Sequence, residues 1–438
     1  MHVAPRTSEP SPPRELSQDQ TAEQSAPPQP AKSTYPPLSP DPTQAGPEDI
    51  RFDFNQGCRV ALPQRATGTW RVRLRDLDTG NILFESENQG ALVNSAKRWF
   101  VRFSIEVWSL DEGVAEPRPV FTHDYDPTGR DVLIQFPVGT LGDILAWFPY
   151  AARFAEQHVG CRVTCALSEL IIPLLRDAYP TLRLLTHEEV VERRVAEAAY
   201  ATYSLGLFFD DIACDWQPTD FRHVGLHRTA GYILGVDPTE QRPALALPDE
   251  TRPIAEPYVC VAVQSSSQCK YWNNPTGWRD TVAFLTAHGY RVICIDRQPV
   301  HGQGLVWNHI PHGAEDATGD RPLVERARWL RHAAAFVGVS SGLAWLAWAA
   351  GCPVVMISGF THPTNEFATP YRAINYHTCN SCWNDVRHRF DHADFLWCPR
   401  HANTPRQFEC TRLITAEHVR QLLRRLPGFP AADAVSAA

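Results

Sequence analysis

From Arg130 to Gly359 short apolar runs alternate with amphipathic ones, and this alternation limits the possible folds more than any other feature of the chain. The runs "DVLIQFP", "CRVTCAL" and "LRLL", then "YVCVAVQ", "YRVICID", "AFVGVS" and "PVVMISG", are apolar on both alternating faces. Between them lie helix-length stretches such as "ILAWFPYAARFAEQH", "SELIIPLLRDAYP", "PTGWRDTVAFLTAHG", "PLVERARWLRHAA" and "GLAWLAWAAG". A strand with no polar face belongs in a parallel sheet covered by helices on both sides. The two sets are separated near Pro248–Pro257. They predict an α/β architecture of two Rossmann-like domains, residues 128–250 and 255–378, facing across a cleft. Ligands of such sheets sit beyond the carboxyl ends of the strands, so chemistry is expected in the loops there.

The flanks read differently. Residues 1–50 hold twelve prolines and almost no large aliphatics, which predicts a disordered tail. Residues 51–115 switch to period two. In "TWRVRLRDLDTGNILFES", Trp70, Val72 and Leu74 alternate with arginines and a turn falls at Asp78–Asn81. With "WFVRFSIEVWSL" as a further strand, this predicts a small antiparallel β domain, followed by a Pro-rich link over Glu116–Pro127. Residues 379–412 hold a cysteine cluster, and 413–438 predict a terminal helix and tail.

Composition excludes some partners. A net charge of −8 and a pI near 6.1 argue against nucleic acid or an anionic membrane surface. The best candidate span, "GLAWLAWAAGCPVVMISGF", is interrupted by Gly351 and Pro353, so no membrane span is expected. The first thirty residues lack a secretory pattern, which points to the cytoplasm and to thiols or metal ligands for the twelve cysteines.

Four strand-end loops carry the chemical signals. In "PVGTLGD", Gly139 and Gly142 allow close backbone approach, and Asp143 stands where a helix begins; capping and catalysis both suit it. In "QSSSQCKYWNNP", Lys270 is one of only three lysines among 41 basic residues and offers a compact charge suited to phosphate. In "GVSSGLAWLAWAAG", Ser340-Ser341-Gly342 opens a helix whose free N–H groups are expected to offer an anion site, with serine also suited to cap the helix. In "SGFTHPTNEFATPYR", Thr361, Asn365 and Glu366 offer groups that could read hydroxyls. The DxD pairs Asp76/Asp78 and Asp124/Asp126 fall in a hairpin and a linker, away from these loops, which suggests metal-free transfer from an activated donor.

Cys379, Cys382, Cys398 and Cys410 follow the spacing C-x2-C-x15-C-x11-C, a strong metal signal. Four thiolates close a tetrahedral shell, with zinc as the default ion and iron next. The other eight cysteines read as core.

Together, "GD" after the first strand, "K-x-W" after the first strand of the second half, and "S-G-L" opening a helix resemble the heptosyltransferases of glycosyltransferase family 9, which have the GT-B fold. With "SSGLAWLAWAAGCPVVMISGFTHPTNEF" and the downstream cysteines, the chain is similar to the bacterial autotransporter heptosyltransferases over roughly Arg51 to Leu426. That resemblance implies ADP-heptose as donor, serine hydroxyls of an autotransporter passenger as acceptor, and an inverting single displacement. It implies Asp143 as general base and Lys270, with the amides of Ser341, Gly342 and Leu343, as stabiliser of the leaving ADP. Gly142, Thr361, Asn365 and Glu366 would lie around the donor. It also implies one iron per subunit in a rubredoxin-like finger of Cys379, Cys382, Cys398 and Cys410, with zinc as runner-up, and assembly as a dodecamer. A lipopolysaccharide core heptosyltransferase and a non-catalytic metal-binding scaffold are the alternatives.

Overall fold

The expected strand–helix alternation builds two parallel-stranded sheets in the computed structural model, which describes residues 35–137, 140–303 and 306–430. Residues 1–34 and 431–438 of the expected tails, and Gly139, lie outside the described residues.

The first sheet is centred on Asp131–Gln135. That strand pairs in parallel with Arg162–Leu167 on one side, which in turn pairs with Arg183–Thr186, and with Ala201–Ser204 on the other. The second sheet is wholly parallel, in the order Glu315–Asp316, Arg291–Cys294, Tyr258–Ala262, Ala335–Val339, Val354–Ile357, Arg372–Ala373. In both, the first strand of the set lies between the second and the fourth. Neighbouring crossovers therefore leave in opposite directions and open a crevice at the carboxyl ends of the first and fourth strands. "SELIIPLLRDAYP" yields only the short helix Ile172–Leu175, with the rest in turns.

The N-terminal β region is present but does not close on itself. Arg51–Asn55 joins the first sheet beside Ala201–Ser204, and Arg59–Leu62 and Ala91–Asn94 continue it in antiparallel fashion. A separate four-stranded antiparallel sheet holds Ile82–Asn88, Thr69–Asp76, Phe103–Leu110 and Arg118–Asp124. The predicted hairpin is there: Trp70, Val72 and Leu74 are buried, while Arg71 and Arg73 pair with Glu87 and Glu85 on the opposite face. Two expectations fail. Arg118–Asp124 is a strand, not a link: it pairs with Phe103–Leu110, Phe121 packs against Phe52, and the His123 ring meets the Tyr200 hydroxyl at 2.9 Å. Residues 35–50, expected to be disordered, are ordered. Gln44–Ala45 pairs with Arg51–Asn55, the Tyr35 hydroxyl donates to the Leu205 carbonyl at 2.7 Å, and the Thr43 amide donates to buried Asp53 at 3.0 Å. Polar anchors replace the aliphatics that the segment lacks.

One continuous core runs from the first sheet through the helices Leu141–Gln157 and Gly342–Ala349 into one face of the second sheet. The other face of that sheet is covered by Gly277–Ala287 and by the C-terminal helix Ala416–Leu423. Between the second sheet and that last helix, residues 379–412 form turns around a small aromatic core of Phe221, Phe360, Trp383, Phe390 and Trp397. Among the described residues no helix is long and apolar enough to cross a membrane.

Candidate active site and metal centre

The two halves meet at two helix starts. Leu141–Gln157 follows the first strand of the first sheet, and Gly342–Ala349 follows the fourth strand of the second. A Cβ on Gly142 would lie 2.9 Å from Cδ1 of Trp345 and 3.5 Å from Cα of Gly342. A Cβ on Gly342 would lie 3.0 Å from Cβ of Leu141. Only glycine allows this approach, and it brings together the electropositive ends of two helices, one from each half. Gly142 thus serves close packing, with no side chain to offer a ligand.

Asp143 is the third residue of its helix and is half-buried. A carboxylate there can cap the helix by accepting a backbone amide, yet among the described residues its partner is the Thr140 hydroxyl, which donates to Oδ2. Burial raises the Asp143 pKa, while the Thr140 hydrogen bond and the positive charge of Lys270 pull it back. Lys270 ends the short turn Gln268–Lys270, just beyond strand Tyr258–Ala262. Its Nζ donates to Ser266 Oγ at 3.2 Å. Burial lowers the Lys270 pKa, opposed by Cys269, Asp143 and Glu366. Asp143 and Lys270, from opposite halves, therefore interact electrostatically across the cleft.

Behind the second helix start lies a closed polar network. Glu366 Oε1 accepts the Ser340 hydroxyl at 2.6 Å and also the Thr361 hydroxyl, while Oε2 pairs with Arg372 at 3.0 Å. Asn365 Oδ1 accepts Nε1 of Trp383 at 3.1 Å. Thr361, Asn365 and Glu366 are all buried; Thr361 and Glu366 bond each other and, through Ser340, brace the loop that leads to Ser341, while Asn365 is engaged by Trp383. The Ser341 hydroxyl, by contrast, is buried with no partner among the described residues. The first amides of the helix have no intrahelical acceptor. This is where an anion fits.

Cys379, Cys382, Cys398 and Cys410 line one void of about 20 Å³, the size of a single ion or water. All are free thiols. Burial, together with the neighbouring sulfurs, pushes the Cys382 thiol up to about 12 and Cys410 higher still. A bound cation would relieve that cost by stabilising the thiolates, and a soft sulfur shell suits iron or zinc. The chemistry of this lining suits one such ion. The tightest set of ligating atoms among the described residues is Cys379, His401 and Glu409, which lie within 4.8 Å of one another. Glu409 is already engaged, accepting the Cys379 amide at 3.2 Å and pairing with Arg406 at 2.6 Å.

A fifth thiol, Cys269, lines the same void. Sequence reasoning placed it in the core; the available signal was its position next to Lys270. The Lys270 loop is further tied to the finger by Phe395, whose carbonyl accepts the Gln268 amide at 2.9 Å and the Ser267 hydroxyl at 3.0 Å.

Known proteins share this layout. Residues 46–111 match the N-terminal domain of glycosyltransferase TibC, and residues 228–390 match glycosyltransferase family 9 (heptosyltransferase). The autotransporter heptosyltransferase BAHTCr of Citrobacter rodentium is 54% identical over 385 residues, 88% of this chain and 91% of that one. The crystal structure of the iron-containing dodecameric glycosyltransferase TibC from enterotoxigenic E. coli superposes with a TM-score of 0.83 at 53% identity, covering 89% of this chain and 98% of that one. BimC of Burkholderia thailandensis, described as an inactive autotransporter heptosyltransferase, is 49% identical, with 89% of this chain and 88% of that one covered. With a shared N-terminal domain, a shared α/β glycosyltransferase fold and 54% identity to BAHTCr over most of both chains, the protein belongs to the autotransporter heptosyltransferases, with a glycosyltransferase family 9 domain over residues 228–390.

Proposed function

We propose that the protein transfers heptose from ADP-heptose to serine hydroxyls of an autotransporter passenger in one inverting step. TibC, similar over most of the chain, has been crystallised with ADP-D-β-D-heptose, which supports the donor. The observation that carries the reading is the packing of the Asp143 helix start against the Gly342 helix start, with Lys270 near enough for its charge to act on Asp143. Asp143 takes the serine proton as the serine oxygen bonds to the anomeric carbon. The anomeric carbon–oxygen bond to phosphate breaks, and its electron pair leaves on ADP. Lys270 and the amides of Ser341, Gly342 and Leu343 balance the charge that develops there. With Asp143 as base and Lys270 and the amides facing the leaving group, we assign no metal to the donor. The DxD pairs are held elsewhere: Asp76 accepts the Asp78 amide at 2.9 Å, and Asp126 accepts the Thr128 amide at 3.0 Å.

We further infer one iron per subunit held by Cys379, Cys382, Cys398 and Cys410, with zinc as the runner-up. A closed sulfur shell leaves no position for substrate, so the ion acts as a cross-link for residues 379–412. Assembly into a dodecamer, as in TibC, would cover apolar surface such as exposed Ile82, Leu83 and Phe84 on the edge strand Ile82–Asn88. The cytoplasm is the compartment that fits free thiols and a sugar-nucleotide donor.

The test is intact-mass and peptide mass spectrometry of an autotransporter passenger incubated with the protein and ADP-heptose. Added heptose on serine is expected. Transfer to a lipopolysaccharide core acceptor in its place would make the protein a lipopolysaccharide enzyme. No transfer to either would place it with inactive relatives such as BimC.

A further inference from the structure

The Lys270 ammonium rests against three aromatic faces. Its Nζ lies 5.2 Å from the ring centroid of Phe390, 5.3 Å from Phe360 and 5.7 Å from Trp383. Each is within the roughly 6 Å over which a ring face attracts a cation. The three rings pack on one another, with centroids 5.3 to 5.4 Å apart, so they form a rigid cup and not three independent side chains. Trp383 is fixed further by its hydrogen bond to Asn365.

Trp383 and Phe390 belong to the cysteine finger, and Trp383 follows Cys382 directly. The finger also holds the backbone beside Lys270 through the Phe395 carbonyl, and Cys269 lines the cysteine void. A lysine side chain has large rotamer freedom and is normally tethered by a carboxylate. A carboxylate partner would cancel much of the charge that a phosphate needs. Aromatic faces hold an ammonium without adding a formal negative charge. Among the described residues the hydrogen-bond partner of Lys270 Nζ is the neutral Ser266 hydroxyl.

We propose that Trp383 and Phe390 of the finger, with Phe360, are positioning residues for transfer. They form an aromatic cup that holds the Lys270 ammonium at the diphosphate while leaving its charge available. This rests on the reading of Lys270 as the cation at the leaving ADP. It gives the finger a part in the reaction although none of its cysteines touches substrate: whatever orders residues 379–412 also orders the cup.

The test replaces Phe390 in the full-length, metal-loaded protein with 4-fluoro-, 3,5-difluoro- and 3,4,5-trifluorophenylalanine. These keep the shape of the ring and progressively weaken its negative face. Stepwise falls in kcat/KM and in ADP affinity by calorimetry are expected, reaching roughly tenfold at the trifluoro ring. Metal content and assembly should not change, and the series should be flat in a K270A background. A flat series with Lys270 intact would overturn the cup. Unchanged transfer and ADP affinity in K270A itself would overturn the assignment of Lys270, and the cup with it.

Discussion

Gly142 and Gly342 touch across the two halves of the protein: a Cβ added to Gly342 would sit 3.3 Å from the Gly142 amide nitrogen. The contact joins the helix that carries Asp143 to the helix start that offers free amides to an anion. Asp143 and that helix start are thereby held in a set relation by packing that a side chain at either glycine would disturb.

Gly142→Ala is expected to push the helices apart, because the new methyl meets buried Trp345 at 2.9 Å. Overpacking of this kind costs about 1–3 kcal/mol. Steady-state kinetics should show kcat/KM for the donor reduced about tenfold or more, with far-UV circular dichroism unchanged. Wild-type kinetics in this variant would mean that the contact does not set the site.

The pH dependence has a defined sign. Burial raises the Asp143 pKa, and a general base works only when ionised. The kcat/KM profile should therefore rise with pH and level off, with its acid inflection above the ordinary aspartate value. Lys270→Ala removes a positive charge that lowers the Asp143 pKa, so in that variant the inflection should move further up. A profile flat through the acid range would contradict Asp143 as the base.

Glu366 and Arg372 form a buried pair, with side chains 1% and 9% exposed. Glu366→Ala strands the guanidinium and frees two hydroxyls, a loss of about 3–5 kcal/mol. Glu366→Gln retains hydrogen-bonding capacity and should lose less. Chemical denaturation measures both, and equal, small losses would rule out the network as a brace.

Much of this arrangement was legible because it depends on local pattern. Period-two alternation marked Trp70, Val72 and Leu74, and unbroken apolar runs marked the parallel strands. The strand-end positions of Asp143, Lys270 and Ser341–Leu343 were legible because an apolar run followed by glycine or serine marks the end of a buried strand. What stayed hidden depends on partners distant in sequence. Residues 35–50 are anchored by Asp53 and Leu205, and Arg118–Asp124 by Phe52 and Tyr200. The partners of Thr361 and Glu366 were not legible either: Thr361 bonds Ser358 and Glu366, and Glu366 also takes Ser340 and Arg372. Cys269 has no cysteine near it in sequence, yet it lines the same void as the four finger thiols.

Cys379→Ser should lose the metal and, with it, soluble or assembled protein, because a bound ion contributes directly to folding. Elemental analysis and light scattering read the two effects, and elemental analysis of the parent protein decides iron against zinc. A metal-free variant that stays soluble and fully assembled would contradict the structural role of the ion.

The measurement that bears most directly on the account is heptose transfer to the passenger by Asp143→Asn, set beside ADP-heptose binding to the same variant by calorimetry. The account predicts transfer lowered at least about a hundredfold, within the range that general-base loss costs, and donor affinity close to that of the parent protein. Transfer near the parent rate, with the donor bound as before, would show that the serine proton goes elsewhere and would remove Asp143 from the mechanism.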